Sequence, residues 1–369
     1  MLLIRCLVAL KVSLLIIIAP LTAKSQISEN GLVLKPFRSS FDPKEYYIRK
    51  IIDSRGDKST IGTIITPANS SNSNRQLMLK GGLDHAINDF IAGSITPKTN
   101  LRPVTLNIKE LKLTETIKAG GYVSGTLQLI ISFETERNNE PVKLIEFKGG
   151  SRYTRSVIQL NPIEPIISKS VMNAMLYFDK WINREAGTNE LLAKKVEIKF
   201  NDFEDERNKD TLFYAYGRRL SWSDFKGKPS TSSRFAAEIF PFFAFEEFRN
   251  IENSVIKVNL NLKTYLVRSF SWVKDFARNS YTLNHEQRHF DLMKIASEQF
   301  RKNISSQDLR VDNYEGVLSV EYLNILREMN RRQLQYDLET KHGTDEEAQK
   351  NWNLKIDKEL RLLQVLGAN

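Results

Sequence analysis

Two histidines four residues apart bracket a glutamate in the segment His285-Glu286-Gln287-Arg288-His289. On a helix such a pair shares one face, with β-carbons about 5–6 Å apart, so both imidazoles can reach one tetrahedral zinc ion. Glu286 then projects about a hundred degrees round the helix from His285, near enough to serve a water at the metal's open position without ligating. The chain has only four histidines, and this pattern arises by chance in roughly one such chain in several hundred. The chemistry it predicts is hydrolysis by a zinc-activated water with Glu286 as general base.

A catalytic zinc takes three protein ligands, so one more donor is needed. His342 ranks first. Gly343 reads as the C-terminal cap of a helix and Thr344-x-x-Glu347 as a capping box for the next, which places His342 at a rigid corner. Asp337 ranks second and Glu339 third, and whichever is not a ligand can orient a histidine through its free ring N–H. Asp291 could do the same, although two residues from His289 it points largely away. Tyr336 is either a donor to the oxyanion of a tetrahedral intermediate or a buried core tyrosine. A lone histidine such as His85 reads as a satisfied core residue.

The elements that must hold these groups follow from periodicity. Residues 281–302 lack Gly and Pro and carry an apolar face of Tyr281, Phe290, Leu292, Met293, Ala296 and Phe300, which predicts a helix. Helices are also expected over 317–341 and 345–365. Upstream, 234–245 and 255–266 read as strands, the second as an edge that pairs with an extended substrate. Strands followed by three helices make 215–369 an α+β domain. Residues 26–200 read as a separate α+β domain: strands over 47–53, 61–66, 104–113 and 122–134, helices over 82–92 and 168–185. That order weakly resembles small periplasmic modules of the envelope-lipoprotein kind. No catalytic constellation is found there, and Asp53-Ser-Arg-Gly-Asp57 reads as an Asx-rich turn. The charged stretch 201–210 marks a linker, taken as 201–214.

Residues 1–25 join basic residues, an apolar centre and small residues before Gln26, the pattern of a secretory signal peptide. The apolar run is short of the ~20 residues of a membrane span, so no stable transmembrane anchor is expected. The expected product is exported, periplasmic or extracellular. Its removal takes Cys6, the only cysteine, and with it disulfides and thiolate ligands. It also takes Arg5, Lys11 and Lys24, lowering the formal charge from +10 to about +7. Charges alternate in sign along the helices, so no nucleic-acid partner is expected.

Taken together, Trp222-x-Asp-Phe-x-Gly-x-Pro229, Ser271-Trp272, His285-Glu-Gln-x-His-Phe-Asp291, Tyr336-Asp-x-Glu-Thr-x-His-Gly343 and Gln349-x-x-Trp352 resemble a bacterial domain family of unknown function regarded as a secreted zinc-dependent protease. The resemblance covers about 215–365. It implies a zincin-like fold and action on a peptide or protein substrate. Arg288 departs from the small or neutral residue expected beside the metal, and would crowd the cleft. Amidase action on a peptidoglycan cross-link would use the same chemistry. A different class of function also fits: a non-catalytic envelope binding module in which zinc only pins two helices and the N-terminal domain contacts envelope components.

Overall fold

A computed structural model describes residues 27–28, 31–67, 72–203, 208–229 and 231–366. The expected signal peptide and Cys6 lie outside the described residues, as does part of the 201–214 linker. The chain is α+β and separates into two compact units, Met1–Lys180 and Trp181–Asn369.

In the first unit, β1 (Ile27–Ser28) and β2 (Gly31–Leu32) form a small ribbon, followed by β3 (Tyr46–Asp53), β4 (Gly62–Pro67) and β5 (Asn72–Leu77). Then come α1 (Leu83–Ser94), β6 (Arg102–Lys118), β7 (Tyr122–Arg137), β8 (Glu140–Ser156) and α2 (Ile163–Glu185), whose last residues pass into the second unit. The sheet runs β5-β4-β6-β7-β8, with β3 parallel to β6. Its alternation buries Leu106, Ile108, Leu127 and Leu129, and Phe178 of α2 stacks on Phe133 at 4.2 Å. β8 was not legible from sequence, because lysines and the Gly149-Gly150 pair hide its alternation. The Asp53–Asp57 stretch is the expected turn, the Asp53 carboxylate accepting the Arg55 N–H at 3.1 Å. His85 is exposed rather than packed in the core.

The second unit starts with β9 (Lys195–Asp202), β10 (Thr211–Phe213), β11 (Ala237–Glu238), β12 (Pro241–Glu252), β13 (Val255–Val267) and β14 (Trp272–Val273). Three helices end it: α3 (Ser280–Ser305), α4 (Tyr314–Thr340) and α5 (Glu346–Leu366). β13 is not an edge. It pairs antiparallel with β12 along one side and with β10 and, in parallel, β9 along the other. A one-sided alternation suits a central strand covered on one face as well as an edge strand, so the pattern could not decide. β9 also moves the division between units from 201–214 to about residue 180, since 195–202 belongs to the second sheet.

Asn279 caps α3 by accepting the Thr282 N–H at 2.9 Å. The helix is buried at almost every position from His285 to Glu298. Phe300, Met293 and Ile304 pack with Phe243, Val258, Leu260 and Leu262 of the sheet, while Leu292 and Ile295 pack with Tyr336, Trp352 and Ile356 of α4 and α5. Each such side chain contributes about 1.5–3 kcal/mol on burial, which fixes α3 from both sides. No described helix is long and apolar enough to cross a membrane.

Candidate metal centre

The helix α3 presents His285, Glu286 and His289 to a cavity of about 740 Å³ whose opposite wall includes Asn330, Gln333 and Asp337 of α4. His285 meets Asp337, His289 meets Gln333, and Asn303 meets Glu321. Residue numbers therefore rise along α3 as they fall along α4, and this antiparallel register carries Asp337 to the histidines. The Asp337 Oδ1 atom lies 3.0 Å from Nε2 of His289 and 3.4 Å from Nε2 of His285. The two Nε2 atoms are 3.3 Å apart. These three residues form the group among the described residues able to hold a metal ion.

The tautomers of both rings are fixed by their surroundings. Nδ1 of His289 contacts Oε1 of Gln333, whose Nε2 donates to the His289 backbone carbonyl at 2.9 Å. Nδ1 of His285 lies 2.9 Å from Oε1 of Gln349, whose Nε2 donates to the Tyr336 hydroxyl and to Oδ1 of Asn353. Oδ1 of Asn353 must be an acceptor, because Nε of Arg288 also donates to it at 3.0 Å. Both amides thus offer oxygen to the rings, both Nδ1 atoms carry hydrogen, and both Nε2 atoms are bare. Two bare nitrogens and a carboxylate oxygen, all acceptors, converge on one point. A single proton can bridge one pair of them, whereas a divalent cation satisfies all three, so the donor set fits a metal such as zinc.

Charge follows the same convergence. Burial pushes Asp337 upward, but hydrogen bonds and charge from the two imidazoles, when these are protonated at Nε2, outweigh it and hold the carboxyl well below the usual range. For His289 burial opposes the charged form, yet Asp337 and Glu286 raise its pKa above the ordinary imidazole value. Burial raises Glu286, with the histidines opposing and Asp337 and Glu238 adding to the rise. Among the described residues no side chain engages the Glu286 carboxylate, which lines the cavity. A divalent cation on two neutral imidazoles and one carboxylate carries a net charge of +1, which Glu286 balances.

His342 does not join the cluster, contrary to the expected ranking. Its Nδ1 stays 3.7 Å from Asp337 Oδ1, its side chain is 41% exposed, and its ring leans on Phe235 at 4.6 Å. The reason is backbone geometry: α4 ends in three successive left-handed residues, Lys341, His342 and Gly343, which swing His342 to the cavity rim. Gly343 is needed there, since a β-carbon would lie 3.0 Å from Cγ of His285. Asp345, rather than Thr344, caps α5 by accepting the Ala348 N–H at 3.1 Å. Glu339 faces elsewhere, bonded to Gln335 and Trp352.

Tyr336 also needs correction. It is fully buried, stacks on His285 at 4.8 Å, and its hydroxyl is held by Gln349 and the His285 carbonyl, so it positions the ring instead of reaching an oxyanion. Arg288 does not crowd the cleft either. It turns toward α5, bonding Asp291, Asn353 and Asp357. Asp291 serves Tyr214, Gln287 and Arg288 and orients neither histidine. The residues missed in the sequence are Gln333 and Gln349. Gln333 carried a usable signal, lying four before Asp337 just as His285 lies four before His289.

The other motifs build local structure in the second unit. Ser221 and Asp224 form a capping box, and Arg218 donates to Asp224 at 2.7 Å. Trp272 of β14 pairs with Glu238 of β11, which brings Glu238 to the cavity.

No family model matches the chain, and no curated protein matches it. Two solved structures are similar: an uncharacterized protein, 7% identical with a TM-score of 0.24, covering 41% of this chain and 99% of its own; and a protein from Xanthomonas campestris described by the family model DUF330, 7% identical with a TM-score of 0.24, covering 40% and 88%. Likeness this distant carries no functional argument.

Proposed function

We propose that the chain is an exported, periplasmic or extracellular, zinc-dependent hydrolase of peptide bonds, with a zincin-like second unit. The observation that carries this reading is the convergence of three acceptors, Nε2 of His285, Nε2 of His289 and Oδ1 of Asp337, beside an unengaged buried glutamate. Three protein donors leave a coordination position open, the arrangement of catalytic rather than structural zinc. The sequence resemblance over 215–365 and the signal-like segment 1–25 support the same reading.

When bound, zinc supplies Lewis acidity, which acidifies a water and polarises a carbonyl. The protein's own groups do the rest. Gln333 and Gln349 hold the imidazoles with Nε2 inward, and Tyr336 buttresses both rings. Glu286 takes a proton from the attacking water as its oxygen adds to the carbonyl carbon. It returns that proton to the amine nitrogen as the C–N bond breaks.

The test is peptide hydrolysis by the purified zinc-loaded protein. Glu286→Gln should lower turnover by roughly 10²–10⁴-fold, the usual worth of a general base, while zinc stays bound. If wild type and Glu286→Gln bind zinc equally and neither cleaves any peptide in a broad library, the metal is structural and the chain is a binding module.

A further inference from the structure

Water that adds to a peptide carbonyl leaves negative charge on the carbonyl oxygen, and a preorganised hydrogen-bond donor aimed at that oxygen speeds the addition. Tyr336, whose side chain suits the task, is sealed in the core by Gln349 and the His285 carbonyl. Several other polar groups lining the cavity are already engaged. Lys341 is paired with Asp345 at 3.0 Å, the Gln333 amide donates to the His289 carbonyl, and the Thr344 hydroxyl donates to the Lys341 carbonyl. Arg234 rests its guanidinium on the Phe235 ring at 5.2 Å. His342 differs from all of these. It lines the same cavity, and no described residue hydrogen-bonds either of its ring nitrogens.

The place of that ring is fixed by the chain around it. The His342 backbone N–H donates to the Asp337 carbonyl at 2.8 Å, and the ring leans on Phe235. Lys341 and His342 both hold left-handed φ, 51° and 54°, which costs conformational energy for any residue with a β-carbon. Such strain concentrates where a side chain must be aimed. Nδ1 of His342 lies 3.7 Å from Oδ1 of Asp337, beyond hydrogen-bond reach of it. His342 also falls outside the group whose donor atoms all lie within 4.8 Å of one another. It therefore borders the third donor without joining the set, where a ring N–H can meet an oxygen seated next to Asp337.

We propose that His342 is a catalytic residue of this site, donating a hydrogen bond from Nδ1 to the carbonyl oxygen of the bound peptide as that oxygen gains charge. No proton is transferred; the N–H stays on the ring, and its hydrogen bond strengthens as the carbonyl carbon becomes tetrahedral. This role rests on the hydrolytic reading above, so the test separates the two. Zinc-loaded wild type, His342→Ala and His342→Gln are compared by hydrolysis of a library peptide and by calorimetric titration with a phosphinic tetra-alanine peptide, in which a tetrahedral phosphinate replaces the central amide. His342→Ala should keep its zinc and lose about 10²–10³-fold in kcat, the usual worth of one oxyanion donor, with KM within about twofold. It should also bind the phosphinate at least about tenfold more weakly. His342→Gln, which offers an amide N–H, should regain part of both losses. An unchanged kcat or an unchanged phosphinate affinity in His342→Ala overturns the proposal, while hydrolysis by wild type would still uphold the peptidase. Losses that come with loss of zinc, or as a rise in KM alone, overturn it too, making His342 a ligand or a binding contact. A wild type that cleaves no peptide, yet binds the phosphinate through His342, keeps the hydrogen-bond donor and removes the peptidase.

Discussion

Two buried polar constellations, one in each unit, answer the same question in opposite ways. In the first unit the side chains of Glu115 and Arg155 are both 0% exposed. Their atoms are paired throughout: Glu115 accepts from Tyr153, Arg155 and the Ile65 N–H, and Arg155 donates to the carbonyls of Ile65, Ser156 and Val157. Acceptors meet donors, nothing is left over, and the cluster is complete without a ligand. In the second unit His285, His289 and Asp337 bring three acceptors together, with their only ring donors already spent on glutamines. Burial by itself marks neither cluster as functional. The imbalance of donors and acceptors sets the second apart, because a cation would satisfy all three acceptors at once.

The largest expected effect lies on the complete side. Glu115→Ala leaves a buried guanidinium without its counter-charge and should destabilise the first unit by about 3–5 kcal/mol, read by denaturant unfolding. A loss under about 1 kcal/mol would mean that this pair is not the closed structural network described, and the contrast would fail.

Zinc should act next on the incomplete side. At a free concentration about a hundred times its dissociation constant it should stabilise the second unit by about 2.7 kcal/mol, a gain that a chelator removes. Unfolding that ignores both zinc and chelator would place the histidine cluster in the same class as the Glu115 pair.

The glutamines sharpen the comparison at a finer level. Gln333→Met removes the acceptor that fixes the His289 tautomer and should weaken zinc binding about 10–100-fold in competition with a chromophoric chelator. Unchanged affinity would show that ring orientation is set by packing on Tyr336 alone. The smallest effect is expected from Gly343→Ala. A left-handed residue pressed on His285 should cost about 1–2 kcal/mol of thermal stability, and a more stable variant would rule out the close approach.

Much of this was open to a reader of the sequence, and what was hidden has a common physical cause. α3 could be read from its apolar spacing, and its extent over 281–302 agrees with Ser280–Ser305. The histidine pair lies within one helix, where spacing alone sets geometry. The third candidate donor lies on another helix, and only the packing register of α3 on α4 brings Asp337 rather than His342 to the pair, although a histidine is the more familiar zinc donor. The direction of a long side chain was equally hidden: Arg288 leaves the cleft because Asp357 and Asn353 wait on α5. Tyr336 is withheld from the cavity by Gln349, thirteen residues later. Strand neighbours were the other gap, since 255–266 shows its alternation but not the β9 and β12 that flank it.

The convergence of three acceptors is tested most directly by elemental analysis of the purified protein, wild type against Asp337→Asn and His342→Ala. Wild type and His342→Ala should carry one zinc per chain, while Asp337→Asn should lose most of it. A folded wild type empty of metal, or zinc that survives Asp337→Asn but leaves with His342→Ala, would contradict the site as drawn from His285, His289 and Asp337.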